Sequence, residues 1–334
     1  QLCHPLAHLD ALNAAAPESG MVQLDADTYM TPGSLVAAYR AAGAAVRAVD
    51  MVMGGEAENA FVACRPPGHH AEAERPMGFC LFGTVAIAAR HALERHGLKR
   101  VAIVDFDVHH GNGTQDLLWD EGRALFISTH QMPLYPGTGA QHERGAHGQI
   151  TNIPLSAGTD GGLYRKILTN RIVPLIEAFE PEMLFLSAGF DAHKDDPLAS
   201  IELSTEDFGW ITQELAALAG RVCGGRVVSC LEGGYNLPAL AASSAALASA
   251  RSRLEQATLR APWDAVVSEI RVEAGQQVNS NTLAFEIVDE TVVEVDGVVD
   301  EIDVLFVREG ASASVTMDAL AGQVIEGFVS EIAA

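Results

Sequence analysis

The stretch Val101-Ala102-Ile103-Val104-Asp105-Phe106-Asp107-Val108-His109-His110 decides the fold. Its first four residues are all apolar. A strand apolar on both sides has to be covered on both faces, which is the situation of a parallel sheet wrapped by helices. Runs of the same kind recur on either side of it, at 61–64 (FVAC), 124–129 (ALFIST), 183–188 (MLFLSA) and 226–231 (RVVSCL). Between them lie Ala/Leu-rich helical stretches at 33–53, 81–97, 162–179 and 205–222. Thr205 followed by Glu206 and Asp207 starts the last of these, and Pro181 closes the 162–179 stretch. The rhythm predicts an open parallel α/β sheet flanked by helices, with ligands gathered at the carboxyl ends of its strands.

Four strand ends carry residues able to do chemistry. Side chains alternate along an extended strand, so Asp105, Asp107 and His109 are expected on one side. Two carboxylates and an imidazole there suit Zn²⁺ or a similar divalent ion. The plainer alternative, an N-cap acid and a solvated loop, leaves buried acids without compensation. Asp191, after Ser187-Ala188-Gly189-Phe190, offers a third ligand, although alone it is also a common loop acid. Arg65-Pro66-Pro67-Gly68-His69-His70 places adjacent imidazoles in a rigid loop, where one can act as a base and the other as an electrostatic partner. In Leu231-Glu232-Gly233-Gly234-Tyr235-Asn236 the paired glycines allow a sharp turn that carries Tyr235 towards the cleft. A phenol there can hydrogen-bond an oxyanion; an ordinary strand-to-helix turn with a surface Tyr is the alternative.

Composition bounds the rest. The chain has 334 residues, 48% of them hydrophobic and 19% charged, enough for a substantial core. No apolar run reaches the ~18 residues of a membrane span. Five scattered cysteines without a C-x-x-C pair argue against a disulfide scaffold or thiolate zinc site, and predict a reducing, cytoplasmic setting. A net charge of −23 argues against direct nucleic-acid binding and favours cationic partners. The first residue is Gln, without a signal peptide, which predicts a fragment.

The segments RPPGHHA (65–71), MGFC (77–80), DFDVHHGNGTQ (105–115), YPGTG (135–139), SAGFDAHKDDPL (187–198) and EGGYN (232–236) stand in a familiar order and spacing. Over about 1–248 the chain resembles the zinc-dependent histone deacetylase family, including bacterial deacetylase-like and acetylpolyamine amidohydrolases. The resemblance implies an arginase-like α/β fold, lacking part of its N-terminal region, and hydrolysis of acetylated lysine side chains or polyamines. It makes Asp107, His109 and Asp191 ligands of one zinc ion. His69 and His70 become the catalytic pair, oriented by Asp105 and Asn112, and Tyr235 the group that polarises the acetyl carbonyl. Phe79, Tyr135 and Leu198 would line the acyl-lysine tunnel, the Gly78 carbonyl would receive the substrate amide, and Asp27 would sit at the rim. A K⁺ ion is implied beside Asp105, Asp107, His109 and Ser128. Asp191-Ala192-His193-Lys194-Asp195 also reads as the D-A-H-x-D motif of dimanganese arginases, but RPPGHH and EGGY have no role in such a ureohydrolase.

The texture changes after a helical linker at 249–258. Residues 259–334 hold short alternating runs (VVSEIRV, TLAFEIV, EGFVSEI), and no Lys follows Lys194. This part resembles a partial lipoyl-like domain and barrel of HlyD-type membrane fusion (periplasmic adaptor) proteins. The resemblance implies a chimera and, as a second function class, a transport adaptor fragment. Without a Lys, the segment cannot serve as a lipoyl or biotin carrier.

Overall fold

In the computed structural model of the chain, residues 2–257, 266–271, 285–288, 308–316 and 324–330 are described. It divides into two compact units, Gln1–Thr258 and Leu259–Ala334. The first unit opens with α1 (Leu6–Ala15), a small antiparallel pair β1 (Val22–Gln23) and β2 (Tyr29–Met30), and α2 (Ser34–Met53). Then follow β3 (Asn59–Val62), α3 (Thr84–Arg95), β4 (Val101–Asp105), α4 (Asn112–Leu117), β5 (Ala124–Gln131) and β6 (Ile150–Leu155). A helical stretch, α5 (Gly161–Ile167) and α6 (Val173–Phe179) joined by a π-helical turn, leads to β7 (Met183–Ala188), α7 (Thr205–Cys223), β8 (Val227–Leu231) and α8 (Leu237–Ala257).

Six strands form one parallel sheet in the order β3-β8-β7-β4-β5-β6. Alternation along β4 feeds two cores. Val101 and Ile103 pack with Ala48 and Val49 of α2 and Ala89 and Leu93 of α3. Ala102 and Val104 belong to the opposite core, with Ile176 of α6 and Phe208 and Leu215 of α7. From β4 the chain runs outward one way through β5 and β6, then returns to the other side of β4 for β7 and β8. The carboxyl ends of β4 and β7 therefore flank a topological switch point, the place where open α/β sheets form crevices.

Several expectations need adjusting. The strand expected over 101–108 ends at Asp105, so strand alternation does not aim Asp107 and His109; the turn that follows does. The strand expected at 61–64 lies at 59–62, because Pro66 and Pro67 claim the residues before them for a loop. A sixth strand at 150–155 was not anticipated. Its Thr, Asn and Pro residues mask the apolar pattern, and it lies at the sheet edge, where a proline is tolerated. The helix beginning at Thr205 is capped by Ser204, which exchanges hydrogen bonds with Asp207 in a capping box.

α8 continues through the boundary expected at 248/249. In the second unit β9 (Val266–Ile270) pairs antiparallel with β10 (Phe285–Val288), and β11 (Ser312–Thr316) with β12 (Val324–Phe328). The remainder of the lipoyl-like and barrel expectation lies outside the described residues. Among the described residues no helix is long and apolar enough to cross a membrane.

Candidate active site

The switch point is occupied by acids. Asp107 and His109 lie on the turn after β4, and Asp191 on the turn after β7; their ligand atoms fall within 4.8 Å of one another and all three side chains are buried. His109 Nδ1 stands 3.2 Å from Asp107 Oδ1 and 3.1 Å from Asp191 Oδ2. The backbone fixes both carboxylates. Gly233 N–H donates to Asp107 Oδ2 at 2.8 Å, His109 N–H to Asp107 Oδ1 at 2.9 Å, and Val108 N–H to Asp191 Oδ1 at 2.9 Å. Such close approach needs glycine: a Cβ at Gly189 would overlap the Asp107 carboxylate, and one at Gly233 would overlap Asp191.

Among the described residues, Asp107 and Asp191 form ion pairs only with histidines. Burial disfavours a charged His109, yet its hydrogen bonds to Asp107 and Asp191 prevail and hold it at about 10. The imidazole proton thus sits where two buried anions call for a cation. An oxygen, nitrogen, oxygen donor set of this kind fits Zn²⁺, and the three residues are able to hold it.

The histidine pair arrives from β3, two strands away from β7. Glu232, at the end of β8, brings it over. Its fully buried carboxylate accepts Gly68 N–H at 2.7 Å and His69 N–H at 3.0 Å, and also takes the Ser187 hydroxyl at 2.8 Å. Arg65 donates to the Glu232 carbonyl. The two imidazole rings lie 4.0 Å apart, and His70 lies 5.9 Å from His109.

Their surroundings separate the two rings. His69 Nδ1 faces Asp105 Oδ2 at 3.0 Å, and its Nε2 lies 3.8 Å from Asp107. Burial alone would lower its pKa, but the charges of Asp107, Asp105 and Glu232 raise it well above the usual imidazole value. Burial pushes Asp105 up to about 7 against that pairing. For His70, burial and then the neighbouring His69 charge push the pKa well down. His70 Nδ1 meets Asn112 Oδ1 at 2.8 Å, and the Asn112 amide nitrogen donates to Glu72 at 2.7 Å. Because a carboxylate only accepts, Glu72 assigns the amide its orientation. His70 therefore donates from Nδ1 and keeps a free lone pair on Nε2.

Tyr235 follows the Gly233-Gly234 turn. Asp196 holds it by accepting Tyr235 N–H at 2.7 Å and Asn236 N–H at 3.1 Å, while its other oxygen takes Leu198 N–H at 3.1 Å. Burial, then Asp107 and Asp191, raise the Tyr235 pKa, so the phenol keeps its proton. Phe79 lies edge-on to Tyr235 at 6.0 Å, and Tyr135 edge-on to His70 at 5.2 Å. Phe79, Tyr135 and Leu198 are all exposed. Gly78 and Phe79 both have left-handed backbone (φ 56° and 66°), pressing Gly78 onto the His70 ring. The Gly78 carbonyl receives the Cys80 thiol at 3.3 Å, and Gly78 N–H donates to Asp27 at 3.2 Å. Ser128 is fully buried beside Asp105 in the sheet register, its hydroxyl 2.9 Å from His130.

His193 does not join the metal cluster. It turns to Thr205 (3.3 Å) and stacks on Phe208, so the D-A-H-x-D pattern builds no second metal position. Glu232, Glu72 and Asp196 were not assigned roles from sequence. Their partners lie far along the chain, and only the acidic character of buried motif positions could have marked them.

Residues 1–251 match the family described as histone deacetylase domain. The chain belongs to the histone deacetylase family. It is 41% identical over 274 residues to the chloroplastic histone deacetylase 14 of Arabidopsis thaliana, covering 78% of this chain and 64% of that protein. It is 38% identical over 263 residues to a probable deacetylase of Archaeoglobus fulgidus, covering 78% and 72%. The crystal structure of the HDA15 HD domain superposes with a TM-score of 0.70 at 37% identity, covering 74% of this chain and 70% of that one. The parallel sheet flanked by helices is thus the histone deacetylase fold. The adaptor resemblance of 250–334 gains no support from these matches.

Proposed function

We propose that the first unit is a zinc-dependent amidohydrolase that removes acyl groups from lysine side chains or polyamines. The observation that carries this reading is the buried Asp107, His109 and Asp191 cluster lying against two histidines of opposed protonation. The deacetylase and amidohydrolase names of relatives support it. A divalent cation held by the three residues would supply carbonyl polarisation and a water of lowered pKa.

The chain's own groups do the remainder. His70, neutral with its Nε2 lone pair free, takes the proton of the attacking water. Cationic His69, anchored on Asp105, stabilises the negative charge that develops. The Tyr235 hydroxyl donates to the tetrahedral oxyanion. The proton on His70 Nε2 then passes to the departing nitrogen as the C–N bond breaks, giving a neutral amine and a carboxylic acid; the acid's proton then makes the amine a cation and leaves a carboxylate. Phe79, Tyr135 and Leu198 flank the acyl chain, and the Gly78 carbonyl receives the amide N–H. A K⁺ ion beside Asp105, Asp107, His109 and Ser128 belongs to the same reading, as does a cytoplasmic, reducing location, supported by five free thiols.

The test is zinc-dependent hydrolysis of an acetyl-lysine peptide and of acetylputrescine, side by side, by the wild type and Asp107→Ala. The wild type turns over at least one of the two substrates. Asp107→Ala loses the zinc of this centre, one equivalent fewer than the wild type, together with turnover. A variant with stoichiometric zinc and unchanged kcat would refute the site.

A further inference from the structure

A second group of metal-ligating side chains lies at the opposite end of the sheet. α2 ends at Met53 before β3 begins at Asn59, and α3 ends at Arg95 before β4 begins at Val101, so both helix ends sit by the amino ends of the strands. There Asp50 of α2 meets His91 of α3 and His96 just beyond it. His91 Nε2 stands 2.7 Å and His96 Nε2 2.8 Å from the same oxygen, Asp50 Oδ1. The three ligand atoms lie within 4.8 Å of one another.

Helical spacing does not produce this convergence. Residues five apart on an unbroken helix point about 140° apart. His96 stands just past the end of α3 at Arg95, and its ring centroid lies 5.4 Å from that of His91. Among the described residues, Asp50 pairs with no Lys or Arg. Both imidazole nitrogens converge on the one carboxylate oxygen, which leaves Asp50 Oδ2 without a hydrogen bond to either ring. All three side chains are partly exposed, so an ion can enter and keep a water in its fourth position.

We propose that Asp50, His91 and His96 form a second divalent-cation site, for Zn²⁺ or an ion of similar preference, which ties the end of α2 to the end of α3. Two imidazoles and one carboxylate with an open position is a donor set such ions accept. Ligand bonds of about 2.0–2.1 Å in a tetrahedron need donors about 3.3 Å apart. Each imidazole therefore withdraws by roughly half an ångström from Asp50, within the reach of rotations of exposed side chains. The ion replaces the two N–H···O contacts of the metal-free form, each neutral ring then carrying its proton on Nδ1 and any second proton passing to solvent. The site is independent of the deacetylase reading.

The test counts zinc in the full chain, equilibrated with zinc and freed of excess, for the wild type, His91→Gln/His96→Gln, Asp50→Asn and Asp107→Ala. The His91/His96 variant and Asp50→Asn should each carry one equivalent fewer than the wild type, with hydrolytic rate per active-site zinc unchanged. Zinc should also raise the melting temperature of Asp107→Ala, and should not when His91→Gln/His96→Gln is added. Because the readout is a difference, it holds whether or not the Asp107 centre binds zinc. Equal zinc content in the wild type and both cluster variants overturns the proposal and leaves a solvent-facing imidazole–carboxylate contact.

Discussion

Glu72 touches neither the proposed metal ligands nor the phenol, yet it decides which tautomer His70 adopts. Its carboxylate takes the Asn112 amide nitrogen, turns the amide oxygen to His70 Nδ1 and so frees Nε2. In Glu72→Gln the side chain can donate as well as accept, and Asn112 can reverse. We expect kcat to fall ~10–100-fold, the usual cost of losing a partner that orients a ligand or base. KM and zinc content should stay near wild type, and steady-state kinetics with metal analysis would check it. Tyr235→Phe removes a hydroxyl alone and should lower kcat ~10²–10³-fold with zinc retained. A change confined to KM would argue against a role in the transition state. At this scale the sequence was legible where chemistry is local: Asp107, His109, His69 and His70 lie within two short motifs. Glu232 is 164 residues from Gly68, and Asp196 is 39 from Tyr235, so no local pattern could reveal what either holds.

The loop Tyr135–Gly139 shows how an element places Tyr135, a residue proposed to flank the acyl chain. His110 bonds Thr138 at 2.7 Å, His130 bonds the Gly139 carbonyl at 3.0 Å, and Glu143 accepts Gly139 and Ala140 N–H groups. Burial holds His130 at about 4 and, with the charge of His130, His110 at about 3, both against 6.5 when unfolded. Between pH 6.5 and 4 the unfolded chain binds these protons and the folded one does not, so stability falls as pH falls. The His130 part amounts to roughly 3 kcal/mol across that window. Melting temperature against pH should slope less steeply in His130→Gln than in the wild type. The turn after β7 has no such slack. Gly189→Ala drives a methyl into the Asp107 carboxylate and should cost one equivalent of zinc relative to the wild type, measured by metal content after gel filtration. Strands β4, β5, β7 and β8 were legible because burial on both faces leaves a largely apolar run in each. Edge strand β6 was not, since Thr151, Asn152 and Pro154 are admissible where one side lacks a partner.

For the whole molecule, every proposed catalytic residue precedes Asn236, but the domain does not end there. Leu247 of α8 is fully buried in the same core as Phe208 and Leu215 of α7. A chain ending at Ala257 should keep its zinc and its kcat. Leu247→Ala should destabilise by ~2–5 kcal/mol, read from denaturant unfolding. The switch point has a further consequence, expressed in hydrogen exchange. Asp107, His109 and Asp191 follow β4 and β7, the two central strands, whose amides should exchange only when the whole domain unfolds. The histidine loop hangs from edge strand β3 and is moored by Glu232. Its amides should exchange through local opening. Moderate heating would then populate a form that retains its metal with the proposed catalytic pair swung away, and activity would vanish before the zinc does.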